Sequence, residues 1–464
     1  MVKNMLLKEY KGITKSSGNL IVIENISGVG YDELVQIQLH DDSRRTGKVI
    51  EVTDSFAVVQ VFEGTKDLNL AETKIKFFGK PFELPVSAEM LGRTFNALGK
   101  PLDDGPEILS SVKKNVNGEP INPVSRSYPK DCIQTGVSAI DILATLIRGQ
   151  KLPIFSTEGL PHNMLAAQIA RQANITDKAN DKFAVVFGAM GIKNDTAYYF
   201  RNSFEESGAF NKVVMFLNLA NDPIIERIMI PRSALTTAEF LAFEEDYHVL
   251  VILTDMTNYC EALRELSSSR GEVPSRKGFP GYLYSDLSTI YERAGRLHGK
   301  SGSITQIPIL TMPNDDITHP IPDMTGYITE GQIVLSKSLF KKNIYPPVNI
   351  LSSLSRLMKD GIGEGKTRDD HDKVASQLNA LYSQSQEIAS LVAVIGEESL
   401  NETDKIILDF SRSFEQVFIN QSYSENRTIE ESLNIVWELF SKLPVSLFER
   451  IPDSILKKYY KPKL

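Results

Sequence analysis

The sequence predicts a multidomain α/β protein in three parts. These are a β-barrel over residues 1–77, an α/β core with a mostly parallel sheet over residues 78–357, and an α-helical bundle over residues 358–464. Three observations predict this. Short alternating strands crowd the N-terminal stretch. Continuous apolar runs then alternate with helical patterns. Finally the strand signal vanishes and apolar residues recur at helical spacing.

In the first part, Gly18–Glu24, Gly47–Val52 and Phe56–Glu63 read as strands. Asp41-Asp42-Ser43, Asp54-Ser55 and Gly64-Thr65 supply turns between strands. Evenly spaced strands without a long helix suggest a small closed barrel. In the core, Phe183–Phe187, Val213–Leu217, His248–Leu253 and Gly302–Leu310 read as buried strands. Their apolar runs are continuous, as in a sheet covered on both faces. Arg232–Phe243 reads as a helix between two of them. In the last part, Asp370–Leu391, Glu402–Phe418 and Thr428–Leu443 carry helical periodicity, and the only tryptophan, Trp437, lies in the third. No internal repeat is present.

Composition narrows the function. The chain has 464 residues, 42% hydrophobic and 24% charged, which suits about three folded domains. A net charge of −8 argues against general nucleic-acid binding. No apolar run approaches the ~18 residues of a membrane span. Met1–Lys8 lacks the apolar core of a signal peptide. With only Cys132 and Cys260, cytosolic thiols are expected rather than a structural disulfide or a zinc site.

The most telling feature is a strand, Gly149–Phe155, entering a turn before a helix at Met164–Ala173. That is the setting in which GxxxxGK[ST] cradles nucleotide phosphates. Here Ser156 stands at the first Gly of the motif, Pro161 at the second, His162 at the Lys and Asn163 at the Ser/Thr, with Gly159 inside the turn. The motif needs backbone N–H groups, a fixed charge and a hydroxyl for magnesium. Pro161 has no N–H, His162 is mostly neutral near pH 7, and Asn163 has no hydroxyl. The loop is degenerate, with weak nucleotide affinity or none. A non-catalytic partner of a true ATPase is the leading reading.

Other candidates follow. Asp255 closes the strand Val249–Thr254, where P-loop ATPases hold magnesium through an aspartate. A relic of that site and an ordinary helix cap both remain open. After the strand Phe183–Phe187, catalytic relatives of this fold place Gly-Glu-Arg, whose carboxylate orients water. Gly191 and Ile192 stand there instead, and glycine accepts no proton. Gly361–Thr367 contains Gly-Lys-Thr but has Asp360 in place of the first Gly and no strand before it, so it reads as a connector. His162, alone at the lysine position, reads as a structural or interface residue, and His319 as part of a proline-shaped loop, since no ligand set has zinc spacing.

Pro347-Val348-Asn349-Ile350-Leu351-Ser352-Ser353-Leu354-Ser355-Arg356 resembles the signature of rotary ATPase α- and β-type subunits. Gly92–Asp103 and Gln134–Asp141 resemble the segments leading into the core of that family. Gly159–Asn163, Thr254–Tyr259, Gly278–Tyr284 and Glu292–Arg296 resemble B subunits of the V/A-type branch. The resemblance covers essentially the whole chain.

The resemblance implies a barrel, a P-loop (RecA-like) core and a helical C-terminal domain. It implies a non-catalytic, regulatory B subunit, alternating with catalytic A subunits in a hexamer of three A and three B. Mg-ATP or Mg-ADP would sit at the A–B interface, with no cofactor held tightly by this chain alone. Arg356 falls at the position that supplies an arginine finger in trans, while Pro347, Asn349, Ser353 and Ser355 carry the signature. Further partners would be central shaft and peripheral stalk subunits. Membrane contact would come only through the rest of the complex, on the cytoplasmic face, where ATP turnover couples to H⁺ or Na⁺ transport. Two alternatives stay open: a self-sufficient RecA-like hexameric ATPase, and a scaffold with a relic ATPase fold.

Overall fold

The computed structural model describes residues 8–175 and 182–462. The expectation drawn from residues 1–7 lies outside them. The first part is a seven-stranded antiparallel sheet. Its two end strands, Lys8–Lys11 and Lys15–Ser17, belong to one stretch of chain. At the corner, Gly12 N donates to Thr73 O (2.9 Å) and Thr14 N to Val22 O (2.8 Å). The chain itself thus closes the sheet into a barrel. Alternate residues Ile21, Ile23, Val35, Ile37, Val49 and Val59 point inward, as a period of two demands.

The core is a nine-stranded sheet. From one edge its order is Val348–Ser355, Gly331–Leu335, Ile154–Ser156, Ser303–Thr311, His248–Thr254, Phe183–Ile192, Val213–Leu219 and Arg93–Phe95. The short Gly295–Arg296 pairs antiparallel beside Ser303–Thr311. Along the main path every neighbouring pair is parallel except the first, where Val348–Ser355 runs antiparallel to Gly331–Leu335.

Continuous apolar strands follow from two cores. Val249, Val251 and Leu253 pack on one face with the helix Ile224–Phe243. Leu250 and Ile252 pack on the other face with the helices His162–Gln172 and Asn194–Glu206. Each face removes apolar area from water at roughly 25 cal/mol per Å², so both must be greasy.

The helix anticipated over residues 232–243 begins earlier, at Ile224. Pro231 lies inside it. Proline forfeits one backbone hydrogen bond, but Met229, Ile230 and Ala234 beside it are buried, and their packing holds the turn.

The C-terminal part comprises the helices His371–Ile395, Glu402–Phe414, Ile429–Phe440 and Asp453–Tyr459. The second continues into a π turn at Glu415–Ile419. Thr428 and Glu431 form a capping box at the start of the third, a device worth about 1 kcal/mol. Trp437 Nε1 donates to the buried Asp370 (2.6 Å). Cys132, Ile142 and Ile147 of the core share an apolar cluster with Leu378, Phe414 and Trp437, so bundle and core pack as one.

Candidate functional site

The degenerate loop sits at the carboxyl edge of the sheet, where open α/β folds bind ligands. It joins the strand Ile154–Ser156 to the helix His162–Gln172. Several of its polar groups are turned on one another. The Ser156 hydroxyl lies 3.0 Å from His162 Nδ1, so the first and the lysine positions of the motif are bonded to each other. Leu160 N donates to Thr157 O (3.2 Å) and His162 N to Leu160 O (2.9 Å). Pro161 occupies the N-cap and gives no side-chain cap. Gly159 has φ +84°, which glycine adopts without strain, and it faces open space. Burial lowers the His162 pKa, with the nearby Asp255 charge opposing. Below its usual value, the ring is uncharged at pH 7.

Asp255 caps the helix Met256–Ser269 by accepting from Thr257 N (2.7 Å). It also accepts from Thr311 N (3.2 Å) and Thr311 Oγ1 (2.5 Å). Three donors thus occupy the carboxylate. Among the described residues, no cluster of acids, histidines and cysteines could hold a metal ion. His319 caps the helix Pro320–Ile328 and rests edge-on against Phe279.

Gly191 is the penultimate residue of the strand Phe183–Ile192, with φ +63°. Its N–H donates to Asn218 Oδ1 (3.1 Å), which also accepts from Arg227 Nε (3.0 Å). A Cβ at Gly191 would come 2.8 Å from Arg227 Nε. A guanidinium therefore fills the space beside Gly191. Arg227 and Asn218 were missed from sequence because neither belongs to a linear motif. Gly361–Thr367 follows a short helix, Met358–Gly361, and Thr367 Oγ1 takes the Gly363 N–H (2.9 Å) within the connector.

The signature segment forms the antiparallel edge strand. Between the pairs Gln332↔Leu354 and Val334↔Asn349 the register shifts by several residues. Ser353 repairs that gap: its hydroxyl accepts from Val334 N (2.9 Å) and donates to Asn349 O (2.6 Å). Asn349 Oδ1 accepts from Ser352 N (3.3 Å). Pro347 O accepts from Ser336 N (2.7 Å). Ser355 Oγ accepts from Gln150 Nε2 (2.9 Å).

Arg356 is not brought to the loop. Ser355 faces Gly331, two residues before Ile333, which faces Ile154. Arg356, level with Glu330, therefore leaves the sheet at its amino edge, about 16 Å along the strand direction from Ser156 at ~3.3 Å per residue. Its N–H donates to Glu330 O (2.9 Å) and its Nη1 to Thr329 O (3.1 Å). The side chain is exposed, and among the described residues no carboxylate pairs with it. Beneath it, the buried Lys151 binds Glu292 (2.9 Å) and Glu330 (2.7 Å). Gln150 Nε2 also donates to Glu330 O (3.0 Å). This platform was missed, although a lysine in an apolar entry strand is a readable flag.

The comparisons with known proteins agree with this architecture. The model of the ATP synthase alpha/beta family, nucleotide-binding domain, matches residues 136–355. The beta-barrel domain of the same family matches residues 13–79, and the C-terminal domain of V and A type ATP synthase matches residues 360–460. The V-type ATP synthase beta chain of Halothermothrix orenii is 60% identical over 457 residues, covering 98% of each chain. The V-type ATP synthase beta chain of Thermotoga neapolitana is 59% identical over 457 residues, covering 98% of this chain and 99% of that one. A solved ATP synthase subunit, NeqB from Nanoarcheaum equitans, superposes with a TM-score of 0.73 at 39% identity, covering 92% of this chain and 100% of that one. The chain belongs to the ATP synthase alpha/beta family, in its V/A-type beta-chain branch, which forms part of the head of the rotary ATPase.

Proposed function

We propose that this chain is a non-catalytic B subunit that completes, in trans, the nucleotide site of a catalytic A subunit. The observation that carries the reading is Arg356: an exposed guanidinium held by one carbonyl, with no carboxylate partner among the described residues. An arginine satisfied within its own chain would have less to offer a neighbour. A guanidinium keeps its charge and holds two phosphate oxygens at once. At the amino edge it is separated from this chain's own loop, which suits a group that serves another subunit.

The loop supports the same reading. The Leu160 and His162 N–H groups and the histidine ring are engaged internally and Pro161 has no N–H, so γ-phosphate would find no lysine and only part of a cradle. A self-sufficient hexameric ATPase would need both. In this reading, Mg-ATP or Mg-ADP sits at the interface and is bound mainly by the A subunit. Three A and three B subunits alternate, and residues 358–464 press on the central shaft. The segments 1–77 and 78–357 form the collar and the nucleotide-type core. No helix among the described residues is long and apolar enough to cross a membrane. Attachment at the cytoplasmic face would come through shaft and stalk subunits.

The test is ATP hydrolysis by the assembled head. Wild-type chain mixed with A subunits should hydrolyse ATP, and the isolated chain should not. Arg356→Ala should assemble normally yet lose turnover. Undiminished turnover in a correctly assembled Arg356→Ala head would refute the finger.

A further inference from the structure

A cavity lies where the barrel meets the core, and neither the loop nor Arg356 lines it. Its volume is about 740 Å³, the size of a small-molecule site. The barrel contributes Lys48 from the strand Arg44–Val52 and Gln60 from the strand Phe56–Val61. The core contributes Arg232 from the helix Ile224–Phe243 and Arg270 from the end of the helix Met256–Ser269. Ile225, Ile228, Leu263 and Leu266 add an aliphatic part to its lining.

The hydrogen-bond bookkeeping of this cavity is one-sided. Its carboxylates already have partners. Asp32 accepts from Lys48 (3.1 Å) and from Asn117, and Asp286 accepts from Arg232 (2.7 Å) and from Tyr259. Glu272 lies 3.5 Å from Arg270 Nη1. What remains unpartnered is donors. Gln60 is 1% exposed, and its Nε2 has no acceptor. Arg270 Nη2 donates to Gln60 Oε1 (3.3 Å), which fixes the amide so that the idle group is the NH₂. Arg270 Nε is also buried without a partner. A buried donor left unmade costs on the order of 1–3 kcal/mol, so two in one cavity call for an acceptor. Burial lowers the Lys48 pKa, and Arg232 and Arg270 add repulsion against the attraction of Asp32. An oxyanion between them would relieve that repulsion.

We propose that this cavity binds a small organic anion, with a phosphate or carboxylate head on Gln60, Arg270 and Lys48 and an apolar body on the aliphatic lining. Occupancy would join the barrel to the core, since the head is held from both sides.

The test is calorimetry on the full chain with three probes: phenyl phosphate, benzoate and inorganic phosphate. At least one of the two aromatic probes should bind with a single saturable site. Whichever binds tighter tells whether the head is phosphate or carboxylate. Inorganic phosphate should bind more weakly than phenyl phosphate, because it leaves that lining bare. Arg270→Gln and Gln60→Leu should each weaken binding roughly tenfold or more, as loss of a charge-assisted or buried hydrogen bond does. Melting without ligand checks that each variant folds, and Lys48→Gln replaces any that does not. Absence of binding by both aromatic probes would overturn the proposal. So would affinities unchanged in the variants, and so would inorganic phosphate binding as tightly as phenyl phosphate.

Discussion

The two edges of the central sheet are built on opposite principles. At the carboxyl edge the main polar side chains around the degenerate loop bond to one another: Ser156 to His162, Asp255 to Thr257 and Thr311, and Arg227, with the Gly191 N–H, to Asn218. At the amino edge, the buried Lys151 binds both Glu292 and Glu330, and Arg356, its N–H on Glu330 O, lies exposed beside them. A polar group that has exchanged water for a protein partner has little left to give a ligand. The difference teaches where to look for function here: in the group left unsatisfied on a well-satisfied support, more than in the motif that first draws the eye.

The largest expected effect is at the amino edge. In the assembled head, Arg356→Ala should reduce ATP turnover by a factor on the order of 10³–10⁵, the range of arginine fingers elsewhere. Arg356→Lys should recover only a small part, because an ammonium lacks the bidentate fork. Steady-state hydrolysis with matched assembly, checked by gel filtration, measures both. Equal loss of assembly and of turnover would reduce Arg356 to an interface contact and erase the contrast between the edges.

Next comes repair of the carboxyl edge. Replacing Pro161, His162 and Asn163 by Gly, Lys and Thr restores a cradle, a charge and a hydroxyl. Nucleotide binding by the isolated chain should tighten roughly ten- to a hundredfold, the worth of one or two charge-assisted hydrogen bonds. Turnover by the assembled head should not rise, because Gly191 still provides no carboxylate. Calorimetry and hydrolysis assays read the two separately, and faster hydrolysis in the triple variant would contradict the division of labour.

Gly191→Glu is smaller and aimed at stability. The residue sits at φ +63° with Arg227 Nε 2.8 Å from where its Cβ would be. Left-handed backbone costs a non-glycine residue about 1–2 kcal/mol. The variant should melt at lower temperature and gain no hydrolysis, so the edge resists repair one residue at a time. An unchanged melting temperature would mean that Arg227 moves aside freely.

Much of this was readable in the sequence, and the reason is local physics. Val249–Leu253 is apolar at every position because its neighbours in the strand enter two different cores. The loop was legible as a motif because its defects, Pro161 above all, are defects of single residues. The reach of the helix Ile224–Phe243 was not, because Pro231 is a local breaker that tertiary packing overrides. Nor was the fate of Asp255, which depends on Thr311, 56 residues away. For the platform under Arg356, the buried lysine was a flag but its partner was not legible for the same reason: Lys151 N meets Glu330 across 179 residues of chain. The signature Ser353 was recognised as a letter in a pattern, while its work, supplying the acceptor that Val334 loses to the register shift, needed the sheet.

The smallest effect probes whether the carboxyl edge has truly dispensed with charge. Burial lowers the His162 pKa in the folded chain, and the Asp255 charge and the backbone bond at Leu160 oppose it without prevailing. The sign follows by linkage. A group whose folded pKa lies below its unfolded value, near 6.5 for histidine, contributes in full above about pH 6.5. That contribution is lost as pH falls through 6.5 towards the folded value, because the unfolded chain takes up the proton first. Stability should therefore decline on acidification from about pH 7 to about pH 5, and His162→Asn should decline less steeply. His371, pushed down to about 4 by burial between Ile142 O and Thr367 Oγ1, adds to the slope in both proteins. The variant therefore shows a reduced slope, with part of it remaining. Melting temperatures across that range measure it. Identical slopes would mean that His162 titrates as it does in water. A protonated imidazole would then be available at the very position where the phosphate-binding lysine once belonged, and the edge would be dormant rather than closed.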